Sequence, residues 1–301
     1  IQVTTPGLVI VSGVGLQIGQ YLAQGSNEAT TEKPADNYVY FGYDEYGSEN
    51  LVLHNYTSEG MGCYYNYDQC AILFPDDSII PQIPLEGESR NDMSSCIGEY
   101  GLNGSYGIVM KEAGTIIGNG TLTFSNVGTA IYAVGGELSI SRANIYTENT
   151  GDLIGGKNVI TTFVYNSNLD LKLQSFSLEG YTEFDSCDVT ITATGKSEAI
   201  SMGGSYDELV LYNTNLTIIS PNDHGIYHTG SGSIDFNDSN VRIDALYHGI
   251  WTSSCPTTVN GGNLLITSSM EGNPAAAYTD NNSLAFNRTY SATFTYGSGL
   301  Y

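Results

Sequence analysis

Glu198, His224 and His248 follow one another at intervals of 26 and 24 residues, and their types suggest chemistry more readily than any other group in the chain. An imidazole changes charge near neutral pH and binds transition metals through a ring nitrogen. Two imidazoles and a carboxylate at one place would serve a metal ion or a proton relay. Each of the three stands two positions ahead of an isoleucine (Ile200, Ile226, Ile250), and Asp152 stands in the same relation to Ile154. Pro274 takes the position in the last copy, and His228 would add a fourth polar member. Cleavage of a glycosidic bond needs two carboxyl groups roughly 5 to 9.5 Å apart. Asp152 and Glu198, two repeats apart, would be separated by about 10 Å of backbone. For a metal, the weak candidates are therefore Asp152, Glu198, His224 and His248. Asp152 close to Gly155 and Gly156 would also suit Ca²⁺, although no Asp-x-Asp-x-Asp loop accompanies it.

A second set of residues follows the same isoleucines by one position: Val109, Tyr132, Gly155, Ser201, Tyr227 and Trp251, the only Trp. Aromatic faces on neighbouring repeats suit the C–H face of a pyranose. Tyr132, Tyr227 and Trp251, with His228 beside them, are the candidate ligand-binding residues.

Positioning both sets requires a repeating element. A small or apolar residue followed by Ile recurs at Ile108, Ile131, Ile154, Ile200, Ile226 and Ile250, with a degenerate copy near Ala275-Ala276 and one near Phe176 that has lost the Ile. Two period-2 apolar pairs follow in each copy, the pattern of short strands. We read Leu122/Phe124, Leu138/Ile140, Leu209/Leu211, Ile234/Phe236 and Leu284/Phe286 as the second strand. Ile145, Leu169/Leu171, Val189/Ile191, Leu216/Ile218, Val241/Ile243 and Leu264/Ile266 mark the third. Three short strands per coil of about 23 to 26 residues, with no helical periodicity, predict an all-β, right-handed parallel β-helix (β-solenoid). Ahead of the third strand stand Asn144, Asn168, Asp188, Asn215, Asn240 and Asn263, a column able to bond from coil to coil and to tolerate a left-handed turn. One position earlier are the small residues Ala143, Ser167, Cys187, Thr214, Ser239 and Gly262, which makes Cys187 a packing residue. Residues 1–36 are expected to cap the array and 37–301 to form the solenoid, irregular to about 104, as one structural domain.

Composition narrows the partners. The 301 residues include 32 Asp and Glu against 9 Lys and Arg, a formal charge of −23. Phosphate contacts need clustered basic residues, so nucleic acid is excluded as a partner, and an anionic membrane surface is disfavoured. With 41% hydrophobic residues the chain can bury a core. No run of eighteen apolar residues offers a transmembrane helix. The sequence opens at Ile1 without Met, so any signal peptide is removed or not included. The five cysteines show no metal-type spacing; a disulfide framework is not expected, and one bridge, Cys63 to Cys70, stays open.

Gly15 to Tyr21 (GLQIGQY), Asn37 to Tyr40 (NYVY) and Asn50 to Asn55 (NLVLHN), followed by Leu85 to Ser89 (LEGES), Tyr106-Gly-Ile108 and Ile116 to Leu122 (IIGNGTL), carry a resemblance. The chain resembles secreted β-solenoid surface proteins of gut and cellulolytic Gram-positive bacteria, carbohydrate-binding-domain-containing or cadherin-like. These are broadly similar to pectate-lyase-like helices, and the resemblance covers most of the chain. It implies an extracellular or cell-surface bacterial protein, and some relatives are described as binding acidic plant polysaccharides. The Tyr- and Cys-containing insert after Tyr56, and Ser89 where the family has Asn, depart from its pattern.

The expectation is a binding or adhesion module for a polysaccharide or surface glycan, without catalysis or a required cofactor, Ca²⁺ being the one ion considered. It would be a monomer or part of a longer surface protein. The alternatives are a hydrolase or lyase acting on acidic glycans through Asp152, Glu198, His224 and His248, and a structural stalk.

Overall fold

A computed structural model describes residues 8–60, 62–77, 79–96, 102, 104–158, 160–270, 276–279, 284–288 and 291–296. The chain is all-β, a parallel β-solenoid of about seven turns. Its contacts divide it into two compact units, Ile1–Ile160 and Thr161–Tyr301. No helix among the described residues is long and apolar enough to cross a membrane.

The first unit opens with antiparallel pairing. Leu8–Val11 pairs with Val14–Gln17 and with Asp68–Phe74. Gln20–Ala23, Tyr38–Tyr43 and Glu49–His54 form a meander. Glu49–His54 also pairs in parallel with Gln82–Glu86, so one strand converts the meander into stacked coils.

From there the coils keep register. Ile72, Ile108, Ile131 and Ile154 stand in line on the first strand, and Ile83, Ile116 and Ile140 on the second. The third strand aligns Ser89, Leu122 and Ile145, with Asn91, Phe124 and Thr147 beside them. This corrects the reading of Leu122/Phe124 as second-strand residues. The second strand of that coil is the three-residue Thr115–Ile117, too short to show a period-2 pair.

In the second unit Phe176, Ile200, Ile226, Ile250 and Ala277 form the first column, so Phe176 takes the place of the missing Ile. Phe184, Leu211, Phe236 and Val259 form the second, and Val189, Leu216, Val241 and Leu264 the third. These eight second- and third-column residues and the three isoleucines Ile200, Ile226 and Ile250 are all buried, as period-2 alternation over a closed core requires.

The amide column bonds from coil to coil. Asn215 Nδ2 donates to Asp188 Oδ1 (2.7 Å), Asn240 to Asn215 (2.9 Å) and Asn263 to Asn240 (2.7 Å), and Ser291 Oγ closes on Asn263 Oδ1 (2.7 Å). These residues do not take the left-handed backbone anticipated for them. That conformation falls two positions earlier, at Asn166, Ser186, Asn213, Asp238 and Gly261. Between lies the small column, bonded through the backbone: Cys187 N donates to Thr214 Oγ1 (3.2 Å) and Thr214 N to Ser239 Oγ (3.1 Å). Cys187 Sγ faces the carbonyls of Val164 and Asp185, and burial pushes its thiol up to about 11.

Gly262 ends this column, and it has no room for a side chain. Its φ is +72°, and a Cβ would meet the Ser239 carbonyl oxygen at 1.9 Å. Gly203 is the contrast: its nearest neighbour to a Cβ is Thr229 Oγ1 at 3.8 Å. Gly262→Ala is expected to lower unfolding free energy by about 2 kcal/mol or more, and Gly203→Ala to stay within about 0.5 kcal/mol. Urea denaturation of the two variants checks the difference; equal effects would refute the steric account.

Candidate functional site

The candidates divide between the units. Asp152 and Tyr132 belong to the first; Glu198, His224, Tyr227, His228, His248 and Trp251 belong to the second. Pro274 lies outside the described residues.

Within the second unit the coil register places Ser201, Tyr227, Trp251 and Tyr278 in one outward line. Tyr227 and Trp251 stack with ring centroids 4.5 Å apart and planes 16° apart; Trp251 and Tyr278 follow at 6.0 Å and 13°. A second stack lies beside it. His224 and His248 are 5.1 Å apart and parallel within 2°. The stacks touch across the face, His224 on Tyr227 at 5.4 Å and His248 on Tyr278 at 5.7 Å, and Tyr247 packs on His224 at 5.5 Å. Five rings over three coils thus form a double row on a half-exposed surface, Tyr278 being the most open at 41%.

Stacking changes what the rings offer. The mutually facing sides of Tyr227 and Trp251 are covered, and Tyr278 faces Trp251 from its other side, so the indole presents its edge rather than the flat face anticipated from sequence. Those edges carry phenol hydroxyls and the indole N–H, groups that donate or accept hydrogen bonds.

His224 is held in a defined state. Its Nδ1 accepts from the His248 backbone N–H at 3.1 Å, so the neutral ring carries its proton on Nε2, which lies 3.6 Å from Asp223 Oδ1. Burial lowers the His224 pKa below the usual 6.5 and His248 adds to that, while Asp223 and Glu198 act in the opposite direction. Glu198, His224 and His248 are thus neighbours on one surface. Among the described residues, however, no group of three or more His, Cys, Asp or Glu side chains is arranged to hold a metal ion.

His228 does not join this face. Period-2 alternation sends it inward with Ile226, and it is fully buried. Its Nδ1 accepts from Gly230 N (2.9 Å), and its Nε2–H donates to the Asp207 carbonyl (3.0 Å). The buried Asp207 carboxylate in turn accepts from the backbone N–H groups of Gly180 and Gly204. This network fixes corners of the coil, with both ring nitrogens of His228 committed. In the first unit Tyr132 is half-buried under Tyr65, which packs on it at 5.7 Å, and against Tyr106 at 4.7 Å. Asp152 pairs in register with Thr129.

Tyr278 was hidden from sequence reading by one residue. The degenerate copy aligned at Ala276 is in fact aligned at Ala277, and a slip of one turns an outward column inward. The amide face carries a shallow groove of about 400 Å³ along Asn215, Asn240, Asn263, Arg242 and Thr293. Its amides are engaged in the ladder and Arg242 is paired with Asp244 at 2.8 Å, which leaves the ring array as the better-equipped surface.

His224 is expected to titrate below 6.5 in an NMR pH titration of the four imidazoles, assigned by His224→Gln. Because the unfolded chain then takes up this proton first, His224 contributes full stability above about 6.5 and less as pH falls through that value. A His224 pKa at or above 6.5 would contradict the burial assigned to it.

Comparison with known proteins finds no matching family profile, no matching curated protein and no matching solved structure.

Proposed function

We propose that the protein is a secreted or cell-surface binding module that holds a neutral glycan against the ring array of its second unit. The observation that carries this reading is the double row formed by His224 and His248 beside Tyr227, Trp251 and Tyr278. Successive coils repeat at about 4.8 Å, comparable to the length of one pyranose in an extended chain. A glycan lying along the stacking direction therefore meets a hydrogen-bonding ring edge at each sugar. Aromatic edges also bring apolar surface to the sugar C–H groups, and indole and phenol combine both properties in one side chain.

Charge favours a neutral ligand. With 32 acidic and 9 basic residues the chain repels polyanions, and a uronate chain would need a bridging cation. The resemblance of the N-terminal motifs to bacterial surface solenoids supports the extracellular assignment and a glycan as ligand class. It does not extend the acidic polysaccharides of those relatives to this chain.

Affinity electrophoresis and pull-down on neutral and acidic polysaccharides test the reading, with sugar release measured alongside. Retention of a neutral glycan is expected, unaffected by EDTA and by raising salt to 1 M, a concentration at which the Debye length is about 3 Å. Trp251→Ala should weaken retention at least about tenfold, or roughly 1.4 kcal/mol. Trp251→Phe preserves a stacked ring and removes the indole N–H; it should also weaken binding if edges make the contact. Retention unchanged in both folded variants would remove the site. Product release abolished by Glu198→Gln would replace binding with catalysis.

A further inference from the structure

We propose that Cys63 and Cys70 form a disulfide that pins a small hairpin over an aromatic cluster outside the solenoid core. The hairpin joins Tyr64–Tyr65 to the start of Asp68–Phe74, with Tyr64 opposite Gln69 and Tyr65 opposite Asp68. Its two turn residues, Asn66 and Tyr67, both have positive φ (50° and 77°), the backbone of the tight turns that match strand twist. One step further along the register, Cys63 faces Cys70, whose N–H donates to the Cys63 carbonyl at 3.1 Å. The structure holds both as thiols, with Sγ atoms 2.7 Å apart. Both side chains are buried, at 1% and 0% exposure, so each sulfur is shielded from solvent and in contact with the other. Cys187 and Cys255, by contrast, direct their sulfurs at backbone carbonyls.

The hairpin has a load to hold. Cys63, Cys70, Leu73 and Val109 form a buried cluster, with Ile10, Tyr65, Tyr106 and Tyr132 packed against it. Tyr65 covers Tyr132 at 5.7 Å and Tyr106 at 6.4 Å, and Tyr106 donates its hydroxyl to Asp68 at 3.2 Å. Two residues of a two-stranded hairpin thus clamp outward-facing side chains of the coil below. Such a hairpin is marginal by itself, and a covalent link at its base restricts its open states.

The oxidation balances with an external disulfide as the electron acceptor, either oxidised glutathione or the disulfide of an oxidoreductase. One cysteine thiolate attacks that disulfide and displaces one thiolate; the second attacks the mixed disulfide and displaces the other. The S–S bond forms, the two protons given up by the cysteine thiols end on the displaced thiolates by way of solvent, and the external disulfide is thereby reduced to two thiols with no net proton released. Contact with Cys63 and burial push the Cys70 thiol up and keep it protonated once folded. The exchange therefore belongs to folding, before the hairpin closes. An oxidising compartment supplies the acceptor.

The test is thiol mapping of the intact protein refolded in a glutathione redox pair, denatured, alkylated without reduction and digested. Alkylation of Cys96, Cys187 and Cys255, with a linked Cys63–Cys70 peptide that separates on reduction, is the expected result. Alkylation at all five cysteines, or a bridge that includes Cys96, would overturn the proposal. Thermal melts give a second readout. Dithiothreitol should lower the wild-type transition to that of a Cys63→Ser/Cys70→Ser double variant and leave the variant unmoved; a wild-type transition indifferent to reductant would also overturn it. Neither readout depends on the glycan reading.

Discussion

In-register stacking of one coil on the next is the constraint from which the other features follow. A parallel ladder repeats the backbone at about 4.8 Å, so each side chain meets its counterpart from the neighbouring coil. A position tolerates a residue only if that residue tolerates a copy or a complement of itself. Isoleucine does so in the core, asparagine through its amide donor and acceptor, and Thr214 and Ser239 through hydroxyls that accept the backbone N–H of the coil before. Carboxylates do not. In the described pairings of the second unit no Asp or Glu stands in register with another: Glu183 faces Val210, Val210 faces Asp235, and Asp188 faces Asn215. A chain with charge −23 keeps its stack by separating carboxylates with neutral rungs. In the first unit Asp92 does face Glu59, and Arg90 stands 3.7 Å from Asp92.

The same constraint shapes the candidate site. Aromatic residues placed one coil apart at one position stack on each other, as Tyr227 and Trp251 do, and so cover the surfaces a flat sugar-binding platform would need. What remains is a comb of ring edges. His224 and His248 extend it by the same rule, and the second histidine's backbone N–H fixes the tautomer of the first. In the proposed reading, recognition would rest on hydrogen bonds from edges, and burial holds His224 neutral near neutral pH.

Much of the fold was legible because stacking writes itself as a period. The small-residue-plus-Ile motif located most of the first strands, and the Asn column located a ladder. The failures have physical causes. Ala71-Ile72 carries the same motif and starts the Ile column, but the connection from Asp92 to Ser105 stretches that coil to 36 residues, from Ile72 to Ile108, and hides the period. Leu122/Phe124 was placed one strand early because the preceding strand has only three residues. A second ladder, Asn237, Asn260 and Asn287, is not legible in the sequence because its members sit on the second strand amid dissimilar neighbours. In the site, His224, His248, Tyr227 and Trp251 were legible as columns. The orientation of the rings was not, since spacing fixes which residues are neighbours and not which surfaces they cover. His228, two residues after Ile226, shares its inward face by alternation and so belongs to the core rather than to the ring array.

The central claim is that a glycan contacts the edge of the ring array. Trp251 is the only tryptophan, so its indole N–H gives a single, self-assigned cross-peak in a ¹⁵N–¹H spectrum. Titration with a glycan that the protein retains should shift or broaden that peak along the same saturation curve as binding. Saturable binding with the indole peak unmoved would contradict the account.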